Sequence, residues 1–313
     1  MRTAYVFAGQ GAQYVGMGVQ IAEHYPQAKA LYDRASAVLG FDLLKMCQVG
    51  PEELLQQTEN AQPAILVTSL ACLLAVQPKL PQPIVMAGLS LGEYSALVAA
   101  GALEFEEAVY IVQQRGIFMK EATADQDVGM AAILGLDAAQ VEALCQQTAT
   151  LGLCQVTNYN APTQTVVGGH ITAVARVVEL AKQAGATAAV PLAVSGAFHT
   201  RLMQPAAEHL AELLATVKLR NTVFPVISNV TAQHMCGTGE IRQLLIQQIQ
   251  NPVRWVQSIQ RLASDGIDTF IEFGPGHTLS SLIKRTVKGV QTLNVENSTS
   301  MDKTLEAVTE EWH

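Results

Sequence analysis

Short apolar runs alternate along the chain with longer stretches in which apolar residues recur every three or four positions. Thr3–Phe7 is a continuous apolar run that predicts a buried strand, and Gly9-Gln10-Gly11-Ala12-Gln13 ends it. Helical spacing follows over 19–39. Residues 61–76 are apolar on all sides, which predicts a buried helix, closed by Pro78, Pro81 and Pro83. A second strand at 84–87 lies between Pro83 and Gly88. It is followed by a helix over 93–100 that stops at Gly101, and by a helix over 106–119.

The rhythm then changes. A strand at 130–134 leads to Asp137-Ala138-Ala139-Gln140, a capping-box-like start to a short helix. Strands at 154–159 and 165–167 flank a turn at Ala161-Pro162, a helix covers 173–184, and a strand covers 188–192. The order βαββαβ is the ferredoxin-like pattern. Beyond it come a helix (206–217), a strand (223–228), a helix (241–250) ended by Asn251-Pro252, a strand (269–273) and a final helix (279–287). The polar stretch from Glu296 is expected to be loosely held. Strands alternating with helices imply a parallel sheet covered on both faces. The fold class is therefore α/β, with a large subdomain at 1–124 and 195–313 and a ferredoxin-like small subdomain inserted at 125–194.

The chain has 313 residues, of which 49% are apolar and 15% charged. That balance suits a substantial core in one large domain or two smaller ones. A net charge of −8 opposes contact with nucleic-acid phosphates, so no nucleic-acid partner is expected. An anionic ligand would need a local basic pocket. Cys47, Cys72, Cys145, Cys154 and Cys236 form no C-x-x-C pair and read as reduced thiols of a cytoplasmic protein. The start of the chain shows no signal-peptide pattern, and no apolar run, 61–76 included, is expected to span a membrane. No metal site and no bound cofactor are expected: H-E-x-x-H and cysteine–histidine ligand spacings are missing, and Gly16-Met17-Gly18 lacks the third glycine of a dinucleotide loop. Asn229-Val230-Thr231 and Asn297-Ser298-Thr299 match the glycosylation sequon, in this context by chance.

The chemistry centres on Gly88-Leu89-Ser90-Leu91-Gly92, a G-x-S-x-G between an apolar strand and a helix. In that setting a tight turn lifts the serine hydroxyl to a strand tip above helix-end amides. A glycine-rich turn with an incidental serine is the bland reading. A serine needs a base, and the histidines available are His24, His170, His199, His209, His234, His277 and His313. His199 lies in the small-residue loop Ser195-Gly196-Ala197-Phe198-His199-Thr200, and His277 follows a late strand in Gly274-Pro275-Gly276-His277. Position in the chain favours His277, and the residues alone do not separate the two. Arg115 shares a helix face with Ala108, Ile111 and Val112. A guanidinium there is either an internal ion pair, a stem reaching water, or a clamp for a substrate carboxylate.

Taken together, Phe7-Ala8-Gly9-Gln10-Gly11-Ala12-Gln13, Gly88-Leu89-Ser90-Leu91-Gly92-Glu93-Tyr94, Gln114-Arg115-Gly116, Asn158-Tyr159-Asn160-Ala161-Pro162, Gly196-Ala197-Phe198-His199, Asn251-Pro252-Val253 and Glu272-Phe273-Gly274-Pro275-Gly276 resemble the malonyl-CoA:acyl-carrier-protein transacylase family. They run in family order over almost the whole chain. The resemblance implies that Ser90 is the nucleophile and that His199, not His277, is the base, oriented by the carbonyl group of Gln248. Gln10 and the Leu91 N–H would form the oxyanion hole. Arg115 would hold the malonyl carboxylate, Phe198 would exclude an α-methyl group, and Asn160 and Met119 would line the substrate site. It also implies a hydrolase-like core, malonyl-CoA as substrate, and a phosphopantetheinylated acyl carrier protein as partner, with malonyl carried as a Ser90 ester in a ping-pong cycle.

Leu89 departs from the histidine that many members carry before the serine. With the Gly196-Ala197-Phe198-His199 loop, it makes the chain look closer to stand-alone acyltransferases that serve polyketide synthases in trans than to the housekeeping fatty-acid enzyme. A hydrolase that clears acyl groups from carrier proteins would share Ser90 and His199 but have no use for Arg115. A docking module would not need the nucleophile at all. Lys284, Arg285 and Lys288 form a basic cluster, read as a solvated helix face or as a contact for a phosphate or the carrier.

Overall fold

A computed structural model describes residues 1–194 and 196–310. Ser195 of the His199 loop and His313 lie outside the described residues. The first part of the chain forms β1 (Thr3–Phe7), α1 (Val19–His24), α2 (Pro26–Leu39), α3 (Leu43–Val49), α4 (Glu52–Leu55), α5 (Thr58–Val76), β2 (Val85–Gly88), α6 (Leu91–Ala99) and α7 (Phe105–Glu121). Then come β3 (Val128–Leu134), α8 (Ala138–Gln147), β4 (Cys154–Ala161), β5 (Gln164–His170), α9 (Ile171–Gln183) and β6 (Ala188–Leu192). The last part forms α10 (Gln204–Thr216), α11 (Gly237–Gln248), α12 (Trp255–Ser264), β7 (Thr269–Phe273), α13 (Thr278–Thr286), β8 (Gln291–Val295) and α14 (Ser298–Glu310).

Two four-stranded sheets organise these elements. The parallel sheet has the order β2-β1-β7-β8, with Phe7 level with Gly88 on one side and Phe273 on the other. Every residue of β1 and of β7 is buried, which explains why both read as unbroken apolar runs. Tyr5 and Phe7 pack into the larger core with α5, α6 and α7. Ala4 and Val6 face the opposite layer, against Trp255, Ile259, Leu282 and Ile283 of α12 and α13. The second sheet is antiparallel, in the ferredoxin-like order β4-β5-β3-β6. Ala131 and Ile133 of β3 turn toward α8 and α9, while Met130 turns toward the larger core. Asp137 and Gln140 close the expected capping box at the start of α8.

Several expectations need correction. Residues 19–39 form two helices, because Pro26, lacking an N–H, opens α2 at its first position. The 61–76 helix starts earlier, at Thr58. With the 3-10 turn Gln77–Lys79 it covers 22 residues, long and apolar enough to cross a membrane by composition; 83% of its most apolar window is instead buried inside the fold. Residues 223–228 form no strand. Val226 makes only an isolated parallel bridge to Met86, and Pro225 supplies a carbonyl there but has no N–H to give. The 279–287 helix is not final. β8 joins the sheet after it, and the polar C-terminal stretch forms α14, with Met301, Thr304 and Val308 buried.

Candidate active site

Ser90 sits where β2 gives way to α6, at φ 52° and ψ −101°. This positive φ is costly for a residue with a side chain, roughly 1–3 kcal/mol. The turn closes only because Gly92 lacks a side chain: a Cβ there would lie 2.1 Å from the Phe7 carbonyl oxygen. Leu91 is the first residue of α6, so its N–H belongs to the amides that have no acceptor within the helix.

His199 meets Ser90 from a loop between β6 and α10. Ser90 Oγ and His199 Nε2 are 2.8 Å apart, and His199 Nδ1 lies 2.8 Å from the Gln248 carbonyl oxygen at the end of α11. With Nδ1 donating to that carbonyl, Nε2 is left free to accept the serine proton. Ser90 is 7% exposed and His199 4%. Burial, and then the charge of Arg115, lower the His199 pKa to about 4, against two backbone hydrogen bonds that favour the charged ring. The imidazole is therefore neutral at neutral pH, as a base must be. His277, which the residues alone left level with His199, is exposed at the start of α13 and lines no part of the pocket.

Arg115 comes from α7, which packs closely on α5: a Cβ at Gly116 would lie 2.6 Å from the Glu59 Cα. The arginine is 0% exposed. Nη1 donates to Gln62 Oε1 at 2.7 Å, and Nη2 to Gln248 Oε1 at 3.0 Å and to Ser90 Oγ at 3.2 Å. The guanidinium also lies over the Tyr94 ring, 5.5 Å from its centroid. These hydrogen-bond partners are neutral, and Nε, though buried, has none. Among the described residues the guanidinium has no ion pair, and burial pulls its pKa below the usual value. Neither the internal ion pair nor the stem reaching water describes this side chain.

A cavity of about 530 Å³ opens over the pair. Ser90, His199 and Gln10 line it together with Phe198, Met119 and Asn160. Gln10 follows β1 and donates from Nε2 to Thr58 Oγ1 at 3.2 Å. Asn160, at the end of β4, has an Oδ1 with no hydrogen-bond partner, an acceptor available to a ligand. Gln62 also reaches Met119 Sδ at 3.5 Å. The cavity wall is completed from the antiparallel sheet by Met130, Asn158, Val166 and Leu192. No group of three or more His, Cys, Asp or Glu side chains among the described residues is placed to hold a metal ion. Lys284, Arg285 and Lys288 are exposed, away from the cavity lining.

Sequence reasoning missed Gln62, Asn229 and Glu93. Asn229, the first residue of a chance sequon, is buried, and both its Oδ1 and its Nδ2 are hydrogen-bonded. The signal lay in its place: a polar residue directly after an apolar run beside β2, at the carboxyl end of a parallel sheet, where such folds gather their ligands.

Comparisons with known proteins agree with this geometry. Residues 4–310 match the acyl transferase domain family. The malonyl CoA-acyl carrier protein transacylase of Bacillus subtilis (strain 168) is 43% identical over 311 residues, covering 99% of this chain and 98% of the relative. The solved malonyl CoA-acyl carrier protein transacylase from Coxiella burnetii superposes with a TM-score of 0.96 at 39% identity, over 99% of this chain and 98% of that one. A malonyl-transacylase solved with a type II PKS acyl-carrier protein superposes with a TM-score of 0.95 at 39% identity, over 98% of this chain and all of that one. With Ser90 and His199 lining one cavity and the buried Arg115 hydrogen-bonded to Ser90 behind it, the chain belongs to the acyl transferase domain family and, within it, to the malonyl-CoA:acyl-carrier-protein transacylases.

Proposed function

We propose that this enzyme moves malonyl from coenzyme A to the phosphopantetheine thiol of an acyl carrier protein, through an ester on Ser90. The observation that carries the reading is Arg115. It is a buried cation with no ion pair among the described residues, 3.2 Å from the hydroxyl that would be acylated. Such a charge awaits a negative partner, and a diacid half-thioester supplies one two carbons from the carbonyl under attack.

In this cycle His199 Nε2 takes the Ser90 proton as Oγ attacks the thioester carbonyl. The Leu91 N–H and Gln10 receive the developing oxyanion; one such donor is typically worth ~10²–10³ in rate. His199 returns its proton to the departing coenzyme A sulfur. The carrier's thiol then gives a proton to His199 and attacks the Ser90 ester, which leaves malonyl on the carrier and restores the serine. The kinetics are ping-pong. Phe198, 6% exposed and in the cavity wall, limits the room beside the malonyl α-carbon.

Leu89 in the elbow supports a role in trans beside a polyketide synthase, as does the 39% identical transacylase solved with a type II PKS carrier. Transfer to a polyketide carrier in preference to a fatty-acid carrier is the expected result, and the opposite preference makes it the fatty-acid enzyme. Four buried, unpaired cysteines, together with a fifth that is exposed, suit the reducing cytoplasm. The test is intact mass after mixing with malonyl-CoA. Wild type gains one malonyl group and Ser90→Ala gains none; an adduct on Ser90→Ala removes the nucleophile. Release of free malonate in place of carrier loading would make the protein a hydrolase.

A further inference from the structure

Ser90 holds a backbone conformation that a serine does not choose, and its side chain does not cap the helix it begins. Something else must fix the turn. Asn229, 1% exposed, spans it: Oδ1 accepts from the Ser90 N–H at 2.6 Å, and Nδ2 donates to the Gly88 carbonyl at 2.7 Å. Asn229 is itself held at both backbone groups. Its N–H donates to Glu93 Oε2 at 2.6 Å, and its carbonyl accepts from the Arg254 N–H at 2.9 Å.

Glu93 is wholly buried in the first turn of α6, and its Oε1 has no partner. Burial raises its pKa to about 8, against the hydrogen bond from the Asn229 N–H, the nearby Gln248 amide and the charge of Arg115, which favour the ionised form. At neutral pH the carboxyl is thus mostly uncharged. Its hydrogen bond to the Asn229 N–H then needs only a neutral carbonyl-type acceptor, which an amide reproduces.

We propose that Asn229 is a positioning residue for the acyl transfer, buttressed by Glu93: its side chain clamps both ends of the elbow and so aims Ser90 Oγ at His199 Nε2. This rests on reading Ser90 as the acyl-accepting nucleophile. The reacting hydroxyl is set by the backbone it hangs from, and a misplacement of about 1 Å costs on the order of 10²-fold in rate. Binding of the substrate, which falls to Arg115 and the cavity wall, is not asked of either residue.

The experiment is rapid-quench acylation by malonyl-CoA, read by intact mass, on wild type, Asn229→Ala, Glu93→Ala and Glu93→Gln, each checked for fold by circular dichroism. Asn229→Ala is expected to acylate about 10²-fold more slowly at saturation, with KM for malonyl-CoA within about threefold of wild type. Glu93→Ala should lose about tenfold in the same way, and Glu93→Gln should return to within about threefold of wild type. If Asn229→Ala does not fold, Asn229→Asp replaces it, since it keeps the acceptor for Ser90 and loses the donor to Gly88; about tenfold slower acylation is then expected. A folded Asn229 variant that acylates at the wild-type rate, or one that raises KM alone, overturns the proposal. So does a Glu93→Gln as slow as Glu93→Ala. Absence of any Ser90 adduct on wild type sinks the transferase reading itself, whereas a wild-type adduct with insensitive variants sinks only the clamp.

Discussion

Arg115 illustrates what single residues could and could not reveal. A guanidinium on an apolar helix stripe was visible in the sequence, and three explanations stood open. Only the coordinates show that its hydrogen-bond partners are Gln62, Gln248 and Ser90, and that no carboxylate among the described residues forms a salt bridge with it. Arg115→Ala is expected to slow malonyl loading by about 10–10², while acetyl loading gains relative to it; equal losses for the two acyl groups would make the arginine structural. Ser90 was legible because its motif carries its own context. The choice between His199 and His277 was not, because chain order does not say which loop folds back over the elbow. Asn229 and Gln62 stayed hidden because the residues they bond lie 139 and 53 positions away. The depressed His199 pKa makes a further claim. The native state binds fewer protons than the unfolded chain between about pH 4 and 6.5, so the stability this group contributes is present above 6.5 and lost as pH falls toward 4. Acylation by kcat/KM should stay level from about pH 7 to 5 and decline only near 4; a limb near 6.5 in a stopped-flow profile would contradict the buried, neutral base.

At the scale of elements, the fully buried strands and the capping box of α8 were easy to read, since each is a local pattern. α12 was not, although Trp255, Ile259 and Leu262 keep helical spacing and are buried. The Asn251-Pro252 stop signal masked the fresh start only three residues later. β8 escaped because its residues are mostly half-buried, with neither alternation nor an unbroken apolar run. The element that most constrains the site is the elbow between β2 and α6. Gly92→Ala sets a Cβ against the Phe7 carbonyl, backbone that cannot swing aside. A loss of about 3 kcal/mol or more is expected, read as a lowered urea midpoint, together with loss of Ser90 acylation. A variant with unchanged midpoint and activity would show that the turn has slack.

At the scale of the molecule, the cavity lies between the two sheets. The parallel side supplies Ser90 and Gln10, the antiparallel side Met130, Asn160, Val166 and Leu192, and the returning chain supplies Phe198. Phe198→Ala should shift the ratio of methylmalonyl to malonyl loading upward by about tenfold or more, the usual worth of one methyl group in an apolar pocket. A competition assay with both coenzyme A thioesters measures it. Glu93 gives stability the opposite slope to His199. Its folded pKa is raised, so its contribution is full below about pH 4.5 and fades as pH rises toward 8; Glu93→Gln should flatten that decline in denaturant melts. α5 carries a different consequence. Together with the turn that follows, its 22 residues have no water-loving side to show once their neighbours leave. Chains opened by heat will stick to one another through this greasy rod faster than they can close again, so thermal scans should be irreversible and dependent on scan rate. Urea, which keeps such stretches dispersed, is the route by which the stability differences above become measurable.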